Sequence, residues 1–420
     1  MSAGVRSGDR PRDCPGFTQL WTASTVSDFG TYITALASQV LIVVNLHASA
    51  TEVGLVNAAR WLPYLVFGLF AGVIVDRHRR LPVLVGTDLG RALLLGAIPL
   101  LAALDGLSVL VVIVLMVPFG VLSVLNDAAD QSLLPSVVTP AALGKANIRL
   151  QQSMSAAQTT GPLVGGGLVA ALGAPLAVLV DAASYLFSGL LLTTIRVHEQ
   201  PREPRARQHV GTELREGVAW VYRHPMLAPM ALTGHGWFLF NSLLLTVSVP
   251  FVLRDVGINA LGLGVSYACA GVGGVLGGTV SSRAARRLGA GPAVVLAQAL
   301  FPAAFTLVVL VSHGGVALVM ISAGWFLMGL GVGLDSPIEQ TYRQQVTPEH
   351  LQGRMIATMR TFNWGMNAIG APIGGLLADR IGSRPTLWIG IGGVAAMAVA
   401  IGCSRFRKAS LSDTMASSRV

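Results

Sequence analysis

Asp28, Asp88 and Arg91 stand inside long runs of apolar residues, where charge is least expected. Ionisable groups within hydrocarbon are costly, and those that persist face a protein interior or a wet cavity, where they carry protons, ions or structural pairs. Asp28 lies about eleven residues into its run, roughly 16 Å deep at 1.5 Å per residue. That is near the midplane of a hydrocarbon core about 30 Å thick. Ser24, Thr31 and Ser38 lie close to the same helical face, which points to a polar wall. Asp28 is therefore either a proton-exchanging carboxyl or a hydrogen-bonded structural one. Asp88 and Arg91 are three residues apart and share a face. They read as an ion pair bracing the neighbouring loop at Asp76, with a proton relay as the alternative.

Uncharged polar and aromatic side chains in apolar runs supply the other candidates: Gln151, Gln158, His235, Asn241, Trp325, Asn363, Trp364 and Asn367. A surface with few charges and several aromatics suits an amphipathic or cationic organic molecule. Asp127 and Asp335 fall where two runs end and read first as gate or cap residues; Arg360 could snorkel or pair with an acid. No phosphate-binding loop, metal-ligand cluster or nucleophile elbow is present, so the chain does not read as an enzyme and implies no cofactor. Cys14, Cys269 and Cys403 are too scattered for a disulfide framework or a zinc site.

The elements that must position these residues follow from hydropathy. Of 420 residues, 53% are hydrophobic and only 12% charged, half the charged share of a soluble domain, about 25%. Apolar runs at 17–46, 53–75, 82–104, 107–126, 147–172, 174–195, 228–252, 260–280, 292–312, 315–336, 354–379 and 384–404 predict twelve spans. With both termini cytoplasmic, 23 of the 29 Lys and Arg fall on the cytoplasmic side, against Arg60, Arg254, Arg380 and Arg384 outside. The net charge of +9 thus sets topology and meets anionic lipid rather than nucleic acid. The polar interval around Arg196–Arg223 divides the spans six and six, and Thr212 to Tyr222 reads as an amphipathic helix on the membrane surface. Val138-Thr139-Pro140 and Leu143 recur as Val346-Thr347-Pro348 and Leu351, and Asp127 matches Asp335 at the same offset. Such a repeat implies two parallel six-helix halves.

Gly72, followed four residues later by Asp76 and Arg77, and then by Arg79 and Arg80, forms a tight basic hairpin between the second and third spans. It resembles the loop signature of the major facilitator superfamily, with Arg79 where that family usually has Gly. Gly161-Pro162-Leu163-Val164-Gly165-Gly166 resembles the core of the superfamily's antiporter signature, and the chain as a whole is similar to its bacterial multidrug, siderophore and macrolide exporters. The resemblance implies an all-α membrane protein with the major facilitator fold, twelve transmembrane helices in two repeats. It implies gating by Gly72, Asp76, Arg77, Arg80, Gly161, Pro162, Gly165 and Gly166, and sliding seams between helices 2 and 11 and helices 5 and 8. The fourth span lacks the Arg that many drug–proton antiporters carry there.

The expected organisation is a cytoplasmic tail (1–16), a first half (17–195), a cytoplasmic linker (196–227), a second half (228–404) and a cytoplasmic tail (405–420). The expected function is secondary active efflux of drugs or small organic metabolites, driven by a proton gradient, by alternating access. A proton-coupled uptake symporter and a non-transporting receptor or scaffold are the alternatives. The protein is expected as a functional monomer, multi-pass, in a bacterial inner membrane.

Overall fold

Lipid offers the backbone no hydrogen-bond partner, so each apolar run must satisfy its own N–H and C=O groups, and an α-helix does so. The computed structural model describes residues 11, 14, 16–76, 78–196, 210–311 and 316–409. Arg77, the side chain of Asp76, and most of the expected tails and linker lie outside them. Among the described residues the chain forms helices and no strand. These are α1 (Phe17–Val40), α2 (Ala50–Asp76), α3 (Arg80–Ala103), α4 (Val109–Val137), α5 (Pro140–Leu172), α6 (Ala174–Leu192), α7 (Val210–Arg223), α8 (Leu227–Pro250), α9 (Ala260–Leu288), α10 (Ala290–Val309), α11 (Ala317–Val346), α12 (Glu349–Ile381) and α13 (Ser383–Cys403).

At 14 residues, α7 is too short to cross a core that needs about 20. Ten of the other helices are both long and apolar enough to cross. The remaining two, α5 and α12, are 33 residues each. Lys145 and Arg149 on α5, and Glu349, His350 and Arg354 on α12, dilute the apolar character of their first turns.

The sequence repeat extends to helical detail. α1 and α8 each run 24 residues and pass directly into five π-helical residues, Leu41–Asn45 and Phe251–Asp255. α5 joins α6 through Gly173 alone, and α12 joins α13 through Gly382 alone, with φ of +84° and +94°. A one-residue reversal between long helices requires this left-handed region, which a Cβ disfavours.

Several helices outrun the apolar segments that mark them. α4 continues to Val137 and α11 to Val346, while α5 and α12 begin at Pro140 and Glu349. Asp127 and Asp335 therefore sit inside helices, about 15 Å from the ends, and cannot act as caps. Hydropathy reports the lipid slab, not the polar helix beyond it.

By packing, the chain divides into two compact units, Met1–Leu41 with Phe70–Arg207, and Ile42–Leu69 with Gln208–Val420. In the first, α6 packs on α1 and α3, α5 on α1, and α4 on α3. In the second, α9 and α10 flank α11, and α8 packs on α12 and α13. By chain order α2 belongs with the first six helices, yet its residues 50–69 pack with the second unit.

The apolar face of α7 meets protein rather than lipid. Val221 is fully buried, Gly217 lets α12 approach at Arg354, Glu216 pairs with Arg354, and Trp220 Nε1 donates to Thr347 Oγ1 at 3.3 Å. The amphipathic pattern was legible, but its partner is α12.

Replacing Gly173 or Gly382 by Ala forces a side chain into left-handed geometry and should cost about 1–2 kcal/mol. Thermal unfolding of the detergent-purified protein should show both variants melting below the parent.

Candidate functional site

In the first unit, α3 turns Asp88 and Arg91 into the protein, 3% and 7% exposed. Their carboxylate and guanidinium are in direct contact. Asp88 Oδ1 also accepts from Asn126 Nδ2 of α4 at 3.1 Å, and Oδ2 accepts from Ser188 Oγ of α6 at 2.6 Å. Arg91 lies over the Tyr185 ring, 4.2 Å from its centroid. Thr31 Oγ1 donates to the Ser27 carbonyl at 2.9 Å, so it accepts from the Tyr185 hydroxyl at 2.8 Å. One ion pair thereby ties α1, α3, α4 and α6 together. Among the described residues its partners are on helices.

Asp28 lies one turn before Thr31, within electrostatic reach of Asp130, Arg91 and Asp127. Asp130 in turn feels Asp127, Asp88 and Arg91. Four carboxylates from three helices thus share one guanidinium. Sequence reading missed Asp130, although it follows Asp127 by three residues on the same face; it lay past the predicted end of the fourth span. The partners Asn126, Ser188 and Tyr185 carried no signal, because hydropathy does not say which helices touch.

In the second unit, α2 lies against α12. A Cβ at Gly54 would come 2.5 Å from the Ala371 carbonyl, and one at Gly68 2.6 Å from Thr361 Oγ1. At the Ala50 end, Asp379 on α12 accepts from both Ala50 N–H (3.0 Å) and Thr51 N–H (2.8 Å). A carboxylate on the first N–H groups of a helix satisfies orphan donors and complements the dipole. Gly375, one turn earlier on α12, would collide with the Ala50 carbonyl if it bore a side chain. Gly375, Asp379 and Arg380 repeat the spacing of Gly72, Asp76 and Arg77, a signal that would have found Asp379.

Further along this seam, Trp61 and Tyr64 of α2 meet Trp364 of α12, with centroids 5.6 and 4.8 Å from it. Arg360 stacks on the other partner of that cluster, 4.2 Å from the Trp364 centroid. His235 Nδ1 bonds Asn363 Oδ1 at 2.6 Å, and its Nε2 bonds the Tyr222 hydroxyl at 2.7 Å. Because Asn363 Oδ1 only accepts, Nδ1 donates, and Nε2 of the neutral ring accepts from Tyr222. Burial raises the Tyr222 phenol above its ordinary pKa, which keeps that proton in place.

Residues 20–371 match the profile of the Major Facilitator Superfamily. The chain belongs to that superfamily. It is 26% identical over 374 residues to the multidrug efflux pump Tap of Mycolicibacterium fortuitum, covering 87% of this chain and 89% of that one. It is 23% identical over 399 residues to macrolide efflux protein A of Streptococcus pyogenes, covering 92% and 95%. Among solved structures, the nucleoside transporter NupG (D323A mutant) superposes with a TM-score of 0.75 at 10% identity, covering 92% of this chain and 98% of that one. A bacterial homologue of the iron transporter ferroportin, in an inward-facing state, gives 0.70 at 15%, covering 93% and 98%. The protein is a multi-pass membrane transporter of the superfamily, and its substrate is a small molecule.

Superfamily resemblance assigned the glycines of the fifth and eighth spans to a sliding seam. Several lie against helices of their own unit. A Cβ at Gly161 would meet Tyr32 Cβ at 2.7 Å, and one at Gly165 the Ile33 carbonyl at 3.0 Å, both on α1. Gly273 and Gly277 of α9 abut the backbone of α11. Pro162 and Gly166 are buried on α5. Gly72 and Asp76 occupy the last two turns of α2, and Arg80 opens α3 and donates to Ser136 Oγ at 3.2 Å.

The substrate candidates scatter. Gln151 and Gln158 are exposed on α5. His235, Asn363 and Trp364 cluster as described, and the Asn367 carbonyl accepts from Ser242 Oγ at 3.0 Å. Trp325, 6% exposed and 4.5 Å from the Tyr267 ring, is packed inside the second unit, as is Asn241. Neither presents a face to a ligand, because an aromatic or amide in an apolar run is as readily a packing residue.

Asp88→Asn should destabilise the protein by about 3 kcal/mol, since it takes from a buried guanidinium the one carboxylate in direct contact with it among the described residues. Ser188→Ala removes one hydrogen bond and should cost about 1 kcal/mol. Thermal unfolding midpoints should fall in that order.

Proposed function

We propose that this transporter is a proton-driven exporter of drugs or small organic metabolites, working by alternating access as a monomer in a bacterial inner membrane, with both termini cytoplasmic. The observation that carries the coupling is the set of four carboxylates around Arg91, with Asp28 the member that exchanges the proton and Asp88–Arg91 its fixed anchor. Export is supported by the names of the relatives, one a multidrug and one a macrolide efflux protein. The aromatic cluster of Trp61, Tyr64 and Trp364 offers an amphipathic substrate flat apolar faces.

Gating rests on α2, whose two ends carry related devices. The Ala50 end, external in this topology, is fastened by Asp379 and Gly375. The Asp76 end carries the same spacing and fastens the cytoplasmic side in the alternate state, with Arg77 and Arg80. Gly161, Pro162, Gly165 and Gly166 hold α5 on α1 so that those helices move as one body.

Inside-out vesicles test direction and coupling together. An inside-acid gradient should drive accumulation of a radiolabelled macrolide, and Asp28→Asn should abolish that accumulation while leaving macrolide exchange intact. Uptake confined to right-side-out vesicles under an outside-acid gradient would instead mark a symporter, and flux indifferent to the gradient would end the coupling claim.

Asp379→Ala should loosen the external end of α2. In a background lacking the three native cysteines, Val53→Cys, wholly buried on α2, should react several-fold faster with an impermeant maleimide once Asp379 is removed. Equal rates would show that the carboxylate holds nothing shut.

A further inference from the structure

Asp335 on α11 has a use in neither the packing nor the coupling scheme above. The residue is half-buried, and its Oδ1 is sealed from solvent without a hydrogen-bond partner. Glu339 lies one turn on, along the same face, with Arg343 a further turn on and 3.6 Å from the Glu339 carboxylate. From α10, Gln298 closes the site. Its side chain is 3% exposed and lies within reach of the Asp335 carboxyl, while its own Oε1 has no partner.

The charges acting on Asp335 are those of Glu339 and Arg343, both on its own helix. α10 bears no charged residue along its length. α9, the other helix packed on α11, carries Arg283, Arg286 and Arg287 nearer its own C-terminal end. Two carboxylates therefore stand against one guanidinium, and two buried oxygens on touching side chains both lack a donor. Buried acceptors without donors are rare and costly, and each calls for an explanation. A single proton answers both: placed on the Asp335 carboxyl, it makes an O–H that donates to Gln298 Oε1. When the proton leaves, rotation of the amide presents its N–H to the carboxylate instead. Glutamine serves both states because it carries donor and acceptor on one group.

We propose that Asp335 is a second proton-binding carboxyl, in the repeat opposite Asp28, with Gln298 as the side chain that accommodates both of its protonation states. Glu339 and Arg343 offset one another, so the proton takes the site from one negative charge to none. The proposal deepens the proton-driven reading and rests on it only for its use in transport; the protonation itself needs no substrate.

Infrared difference spectra between acid and alkaline pH, on the full-length protein in lipid nanodiscs, provide the test. The parent should show a protonated-carboxyl C=O band that Asp335→Asn removes and Glu339→Gln leaves in place. Gln298→Leu should shift the frequency and midpoint of that band, and this variant carries the test alone if Asp335→Asn does not assemble. Spectra of Asp335→Asn identical to the parent, or a band unmoved by Gln298→Leu, would overturn the proposal. In proteoliposomes Asp335→Asn should lose gradient-driven macrolide accumulation and keep exchange. A parent without gradient-driven flux would sink the coupling reading while the infrared result stands.

Discussion

A charge held within the hydrocarbon slab must be answered by another group of the same chain, because lipid will not answer it. Arg91 shows how far that constraint reaches. Its guanidinium needs Asp88, Asp88 needs Asn126 and Ser188, and the Tyr185 face beneath the guanidinium is fixed in turn by Thr31. Four helices are located by one cation. Removing any of these groups leaves another buried and unpaired, so the network behaves as a unit rather than as a sum of contacts.

The same constraint shapes how the helices pack. Glycines on α5 and α9 bring neighbouring helices of one unit to backbone distance, where no side chain can rotate out of the way. Between α2 and α12 the contacts are mixed: close backbone approach at Gly54 and Gly375, and bulky aromatics at Trp61 and Trp364. A device built from a glycine and an aspartate one turn later stands at the end of each of these two helices. In α12 its use is visible: the glycine admits the next helix and the aspartate caps it.

Much of this was legible in the residues. Apolar runs located the spans, and the Val-Thr-Pro repeat revealed the duplication, which returns as matched π-helical turns and matched glycine reversals. What escaped was lateral. Hydropathy registers contact with lipid and is blind to which helix lies beside which, so Ser188 and Asn126 looked like ordinary polar residues. It is equally blind to helix that continues past the membrane. That is why Asp127 and Asp335 read as helix-end residues, and why Asp130 gives no signal. Pro140 and Pro348, at or beside the first helical positions, were sufficient to mark where α5 and α12 begin.

Magnitudes decide which of the two carboxylate junctions belongs to a moving part. Breaking the Asp88–Arg91 pair strands a buried charge, at about 3–5 kcal/mol, which would leave a separated state populated at well under one part in a hundred. Asp379 caps α2 from an exposed position, and helix caps of that kind are worth about 0.5–2 kcal/mol. Water can take over the Ala50 and Thr51 N–H groups the moment the carboxylate withdraws. A contact of that size biases an equilibrium by roughly tenfold without locking it, whereas separating the buried pair is disfavoured by about a hundredfold or more. The interior of the first unit is therefore held by the costlier of the two junctions. The solvent-facing end of α2 is held by the smaller one.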